Sequence, residues 1–218
     1  MKFLITAGPT REYIDPVRFI SNPSTGKMGY ALASSVCARG HQAILVSGPT
    51  CLEAPRRAKT IPVISADDMH RAVFENLQGV DAVIMAAAVS DFKPASHARL
   101  KIKKDRASLH LALKRNPDIL HVLGKMKHSY YLVGFAAETD HVMLHAQQKL
   151  LKKNLDMIVA NRVDREDTGF GSDFNEAVLL FKEGKNKRIA KTSKTRLADV
   201  VVREILSHID RGQPSHFC

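Results

Sequence analysis

Phe3-Leu4-Ile5-Thr6-Ala7 runs without a break into Gly8-Pro9-Thr10-Arg11-Glu12, and twelve residues after Glu12 stands a second small-residue turn, Ser24-Thr25-Gly26-Lys27-Met28-Gly29. The second turn opens a helix-patterned stretch, Tyr30-Ala31-Leu32-Ala33-Ser34-Ser35-Val36. A strand feeding a glycine turn at a helix start is a seat for an anion, because free N–H groups and the helix dipole point the same way there. Neither standard phosphate motif fits. A dinucleotide fingerprint needs three glycines within six residues of the strand, whereas Gly8 and Gly26 are separated by a polar insert. A P-loop needs a glycine and a hydroxyl where this chain has Ser21 and Met28. The reading is a modified Rossmann-type unit whose residues 11–25 are inserted for another purpose.

Outward from that unit, strand and helix patterns alternate. Strand-like runs are Lys2–Ala7, Gln42–Ser47, Thr60–Ile64, Asp81–Ala88, Tyr130–Ala137 and Asp156–Ala160; helical stretches are Lys27–Arg39, Asp67–Leu77, Pro117–Lys127 and His141–Lys153. The strands are continuous apolar runs, as expected when helices cover both faces. The fold class expected is therefore α/β, a doubly wound, mainly parallel sheet of modified Rossmann-like type. A charged excursion, or flap, spans about 92–116, and a C-terminal β-hairpin (about 172–193) precedes a final helix from Lys194 to about Ile209. One domain is expected over 1–211, with 212–218 a frayed tail.

Composition narrows the function. Apolar content of 44% and charged content of 25% suit a soluble globule. No run approaches a membrane span or a signal peptide. Three unpatterned cysteines, Cys37, Cys51 and Cys218, point to a reducing, cytoplasmic setting. His141 and His145 lack the partners of a metal site and read as a solvated helix face. The net charge of +11 is uneven: nine Lys/Arg lie between Arg99 and Lys127 against Asp105 and Asp118 alone. That segment has no aromatic residue, which argues against nucleic acid and for polyphosphate chemistry.

Five constellations carry chemistry. The insert holds Arg18 and Asn22, four apart and facing one way if the segment turns helically, with Ile14, Val17, Phe19 and Ile20 as apolar anchors. Arg18 suits a carboxylate or phosphate, and Asn22 suits an oxygen gaining charge. Bracing of the loop is the competing reading. Ala86-Ala87-Ala88-Val89-Ser90-Asp91 leaves room at a strand end, with Asp91 an acceptor for a ribose hydroxyl or a carboxylate facing a metal. Lys101-Ile102-Lys103-Lys104 places Lys101 and Lys103 on one face of the flap, to close over phosphate or to remain solvated. Asn116-Pro117-Asp118-Ile119 reads as a helix start with Asn116 as N-cap. Lys149 and Lys153 continue the inward stripe of Val142 and Ala146 toward Phe135.

Together with Asp-Pro-Val-Arg-Phe-Ile-Ser-Asn (15–22), Gly-Phe-Ala-Ala-Glu-Thr (134–139) and Gly-Phe-Gly-Ser-Asp-Phe-Asn (169–175), these motifs occur in an order that closely resembles the bacterial phosphopantothenoylcysteine synthetases, or phosphopantothenate–cysteine ligases, of coenzyme A biosynthesis. The resemblance runs from residue 2 to about 209. It implies a CTP-dependent ligase: 4′-phosphopantothenate is activated as an acyl-cytidylate with release of pyrophosphate, and L-cysteine then displaces CMP. It implies cytosine and ribose against Met85, Ala86, Ala87, Asp91, Pro117, Asp118, Ile119, Leu120 and Phe135. The triphosphate falls under Lys101, Lys149 and Lys153, near the turn of Gly8, Ser24, Gly26, Met28 and Gly29. Asn22 matches the acyl-intermediate asparagine, with Arg18 beside it and Lys101 on the flap as the third catalytic residue. Mg²⁺ (or Mn²⁺) would offset the triphosphate charge, its ligands unassigned. The resemblance implies a homodimer, with the C-terminal hairpin as a candidate contact. In many bacteria this domain follows a flavin-dependent decarboxylase in one polypeptide; a chain that starts at the synthetase strand departs from that pattern and is expected to be a stand-alone, cytoplasmic ligase with no flavin, no membrane and no nucleic acid, although a piece cut from a longer protein would look the same. A nicotinamide- or flavin-linked Rossmann oxidoreductase and a basic nucleic-acid-binding module are the alternatives, and the broken glycine fingerprint argues against the first.

Overall fold

The computed structural model describes residues 1–103, 108–126, 129–138, 141–162 and 171–212. Lys104, Lys127, Thr139, the Gly169-Phe170 part of the last motif and the tail beyond Gly212 lie outside them. In chain order the elements are β1 (Lys2–Ala7), β2 (Arg11–Tyr13), β3 (Phe19–Ser21), α1 (Lys27–Ala38), β4 (Gln42–Ser47), β5 (Ala58–Pro62), α2 (Ala66–Glu75) and β6 (Ala82–Met85). There follow β7 (Phe92–Pro94), β8 (Leu113–Arg115), α3 (Ile119–Met126), β9 (Tyr131–Glu138), α4 (Val142–Lys152), β10 (Met157–Arg162), β11 (Phe174–Phe181), β12 (Asn186–Ser193) and α5 (Lys194–Gly212).

Eight strands form one sheet in the order β12-β11-β10-β9-β6-β1-β4-β5. The six from β10 to β5 are parallel, and β11 and β12 add antiparallel at one edge. Alternation along β1 feeds two cores, since successive side chains leave opposite faces. Phe3, Ile5 and Ala7 pack with Leu32 and Val36 of α1 and with Leu197, Val201 and Ile205 of α5. Leu4 packs toward α2, α3 and α4 through Met69, Leu123 and Leu150. Both faces of the sheet are covered, which is why its strands read as unbroken apolar runs.

Local signals set the helix ends. Ser65 and Asp68 form a capping box on α2. After α1, Gly40 takes φ +80°, so that its N–H reaches the Cys37 carbonyl. Two expected strands are shifted. The β5 ladder with β4 begins at Ala58 and ends at Pro62, and the Ile64 carbonyl accepts from Arg11 N–H instead of a sheet partner. Strand β6 stops at Met85, because the Ala87 N–H turns to Thr6 Oγ1 and Ala88 pairs with the Gly8–Thr10 turn.

The chain leaves the sheet twice on the side of the strand C-termini. The insert is a short hairpin, β2 with β3, and the described part of the flap pairs β7 with β8. A hairpin replaces the helical turn expected to align Arg18 and Asn22. Its anchors differ too: Val17 and Phe19 are exposed, whereas Glu12 and Asp15 are buried. Glu12 accepts from Ala66 N–H at the start of α2 (2.9 Å), and Asp15 accepts from Val17 and Arg18 N–H (2.8 and 2.9 Å). Polar groups fix this arm because a three-residue strand has little apolar surface to bury.

Candidate active site

A cleft of about 660 Å³ opens beyond β6 and β9, between the start of α3 and the inner side of α4. Met85, Ala87, Asp91, Pro117, Asp118, Ile119, Leu120, Phe135, Lys149 and Lys153, all singled out in the sequence, line it together. Ala86 does not. The small side chain of Ala87 leaves room, and Asn116 ties the two walls: its N–H donates to Asp91 O and its Nδ2 to Ser90 O, both at 2.8 Å. That duty displaces it from the cap expected of it. Helix α3 begins two residues later than Pro117, and Asp118 caps it by accepting from His121 N–H at 2.9 Å.

Cationic side chains gather on one side of the cleft. Lys149 Nζ donates to Phe135 O at 2.8 Å, and Lys153 pairs with the Asp118 carboxylate. Burial pushes the Asp118 carboxyl up, but hydrogen bonds from Lys153 and His121 N–H and the Lys153 charge outweigh it and hold it below the usual carboxylate range. Lys152, Gln148, Arg115, Ser90 and Phe92 also line the cleft, although sequence reasoning assigned them no role, and so does His145, which was expected on a solvated helix face. For His145 and Lys152 the signal was present: they stand four and three residues from Lys149 on one helix.

The glycine turn is a neighbouring half-site. Gly8 and Gly26 have φ of +74° and +81°, in the left-handed region that favours glycine. Gly26 caps α1 without any side-chain cap, so the first N–H groups of α1 are offered to an anion. A Cβ on Gly29 would lie 2.5 Å from Ala7 Cβ, which is why the helix can start so close to the strand. Gly8, Ser24, Gly26, Met28 and Gly29 do not line the cleft itself. Asn22 joins the half-sites, with Nδ2 donating to Ala88 O (3.0 Å) and to the cleft-lining Ser90 Oγ (3.4 Å).

Arg18 and Lys101 stand apart from the cleft, on the arm and the flap. Arg18 Nη1 is 3.4 Å from Asp15 Oδ2, and its Nη2 donates to Ile102 O at 3.2 Å. Ile102 N–H donates to the same Asp15 oxygen at 3.2 Å, so one buried carboxylate latches arm to flap. Burial pushes Asp15 up, but N–H groups of Val17, Ile102 and Arg18, then the Arg18 charge, bring it below the ordinary value. Lys101, beside this latch, is exposed.

Among the described residues, no three His, Cys, Asp or Glu side chains converge as metal ligands. The cleft offers the Asp91 and Asp118 carboxylates, and Asp118 is engaged by Lys153. This donor set fits a Mg²⁺ carried in by phosphates, which needs only one or two protein carboxylates.

Residues 1–209 match the family described as DNA/pantothenate metabolism flavoprotein C-terminal domain. The chain is 48% identical over 203 residues to the coenzyme A biosynthesis bifunctional protein CoaBC of Bacillus subtilis (strain 168), covering 93% of this chain and 50% of that protein. The CoaBC protein of Escherichia coli (strain K12) is 42% identical over 214 residues, covering 96% and 52%. The chain thus spans about half the length of the curated relatives it matches. Among solved structures, that of the C-terminal domain of CoaBC is 41% identical with a TM-score of 0.83, covering 96% of each chain. That of the DNA/pantothenate metabolism flavoprotein from Streptococcus pneumoniae, 24% identical, has a TM-score of 0.82 over 95% of this chain and 99% of the other and shares the fold.

Proposed function

Because this chain belongs to the family of DNA/pantothenate metabolism flavoprotein C-terminal domains, we propose that it is a phosphopantothenate–cysteine ligase acting with CTP. The observation that carries the proposal is the junction of two half-sites: a cleft with Lys149 and Lys153 on one wall, and an Asn22 amide one hydrogen bond away at Ser90. In the first half-reaction a carboxylate oxygen of 4′-phosphopantothenate attacks the α-phosphorus of CTP and pyrophosphate leaves. In the second, the cysteine amine attacks the acyl carbon, CMP leaves, and the amine proton is released.

In this reading the pyrimidine lies against Met85, Ala87 and Phe135, with main-chain groups of Pro117–Leu120 along its edge and Asp91 toward the ribose. Lys149 and Lys153 bind phosphate, and the Gly8–Gly26 turn presents N–H groups to the same anion. Mg²⁺, when bound, offsets phosphate charge. The weaker of the two Asn22 contacts, the 3.4 Å one to Ser90 Oγ, is the donor free to turn toward a developing oxyanion. Arg18 holds the arm, and Lys101 brings its charge over the reacting groups when the flap approaches. The same reading makes the protein a cytoplasmic homodimer. Exposed apolar residues concentrate on arm and flap (Val17, Phe19, Phe92, Leu100, Leu109, Leu111 and Leu113), which favours these as the contact. The C-terminal hairpin is a poorer candidate, since its outer strand β12 exposes Lys187, Arg188 and Lys191.

The test is pyrophosphate release with CTP or ATP and phosphopantothenate, with cysteine added or withheld. CTP- and phosphopantothenate-dependent release, followed by cysteine-dependent amide, is expected. No release with either nucleotide would overturn the assignment, and equal turnover with ATP would overturn the pyrimidine slot.

A further inference from the structure

Two parallel neighbours in the sheet end in the same tripeptide, Gly8-Pro9-Thr10 after β1 and Gly48-Pro49-Thr50 after β4. The second copy is folded onto the first. Gly48 N–H donates to Ala7 O at 2.9 Å, and a Cβ on Gly48 would fall 1.8 Å from Pro9 O, so the two turns touch through their backbones. Thr50 then covers both glycines of the anion-binding turn. Its Cγ2 would lie 2.9 Å from a Cβ on Gly8 and 2.7 Å from one on Gly26, and so fills the space that both residues leave by lacking side chains.

The Thr50 hydroxyl points the other way, into a chain of bonds whose directions are fixed by its two ends. Leu52 N–H can only donate, and it donates to Thr50 Oγ1 (3.2 Å). The Gly48 carbonyl can only accept, and it accepts from Ser47 Oγ (2.8 Å). Between them Thr50 Oγ1 donates to Tyr30 Oη (3.2 Å), and Tyr30 Oη to Ser47 Oγ (3.0 Å). Each of the three hydroxyls accepts once and donates once, and such a chain is mutually reinforcing. Tyr30 is also the residue whose N–H closes the first turn of α1 onto Gly26 O (3.1 Å). The chain therefore locks the rotamer of Thr50 against the helix start whose glycine the methyl supports.

We propose that Thr50 is a positioning residue for nucleotide binding: its methyl sets the separation of Gly8 and Gly26, and hence the aim of the N–H groups at the start of α1. The proposal rests on the reading of that turn as a seat for the CTP phosphates. Its two halves separate by substitution. Thr50→Ser keeps the hydroxyl chain and removes the methyl. Thr50→Val keeps a methyl on the glycines, held by a stiff β-branched side chain, and breaks the chain.

The experiment combines calorimetric titration of CTP into each variant of the 218-residue chain, thermal melting, and steady-state ligation. Thr50→Ser should melt near the parent but bind CTP at least about fourfold more weakly, the scale of one methylene-sized group, with KM raised and kcat held. Thr50→Val should melt lower yet bind CTP within about twofold of the parent. Affinity that follows melting temperature across the pair, or parental binding by Thr50→Ser, overturns the proposal. Gly26→Ala tests the underlying reading separately. If it folds and binds CTP as the parent does, the turn is not the phosphate seat; if it alone loses CTP, only the role of Thr50 falls.

Discussion

Lys153 is paired with the Asp118 carboxylate, so a triphosphate entering the cleft competes with a partner already in place. Removing the lysine leaves that carboxylate facing the phosphates. Lys153→Ala should therefore weaken CTP binding by about 2–3 kcal/mol, and Lys149→Ala, which removes a second charge from the cleft wall, by about 1–3 kcal/mol. Asp118→Asn, which can still cap α3, should tighten CTP binding. Calorimetry on the three variants decides it, and parental affinity in Asp118→Asn would show that the pair is immaterial. Asn22→Asp sets a charge against Ala88 O and Ser90 Oγ and removes the amide donor. Ligation should fall by about a hundredfold, the scale of one lost oxyanion donor, with CTP affinity little changed. Quench assays that follow acyl-cytidylate and amide separately check this, and normal turnover would remove Asn22 from the chemistry.

At the scale of elements, the arm and the flap are joined by one carboxylate. Asp15 has a folded-state pKa below its unfolded value of about 3.9. Its contribution to stability is therefore fully present above that value and is lost as pH falls through the lower folded pKa. The melting-temperature gap between parent and Asp15→Asn should stay constant from neutral pH to about pH 4 and close only below it. A gap that closes near neutrality would assign the latch to another group. Helices α3 and α4 meet just as closely, since a Cβ on Gly124 would fall 1.9 Å from Lys153 O. Gly124→Ala should cost about 1–3 kcal/mol as overpacking. It should weaken CTP binding as well, because it separates the Pro117–Leu120 wall from Lys153. Unchanged affinity in a destabilised variant would show that the cleft tolerates the shift.

At the scale of the molecule, the exposed leucines of the flap predict association through arm and flap. Light scattering should give twice the chain mass, and Leu111→Asp with Leu113→Asp should give monomers; a parent that is already monomeric would dismiss the contact. The order and layering of this fold were legible because apolar runs and helical periodicity are local records of which faces will be buried. β1, β4 and α1 stand within a residue of their expected bounds for that reason. Lys149 and Lys153 were legible on the same ground, as an inward stripe that ends in charge. The insert was not. Its hairpin is held by Glu12 and Asp15, whose partners at Ala66 and Ile102 are distant in the chain and carry no periodic signal. Nor could sequence show that Asn116 clips two walls and leaves the cap to Asp118, or that Thr50 lies on both Gly8 and Gly26. The sequence alone determined a doubly wound sheet with a glycine turn at its first helix, since burial and backbone freedom are written residue by residue. Only the tertiary structure decided which polar side chains meet, because a hydrogen bond between distant segments depends on where the packed sheet delivers them.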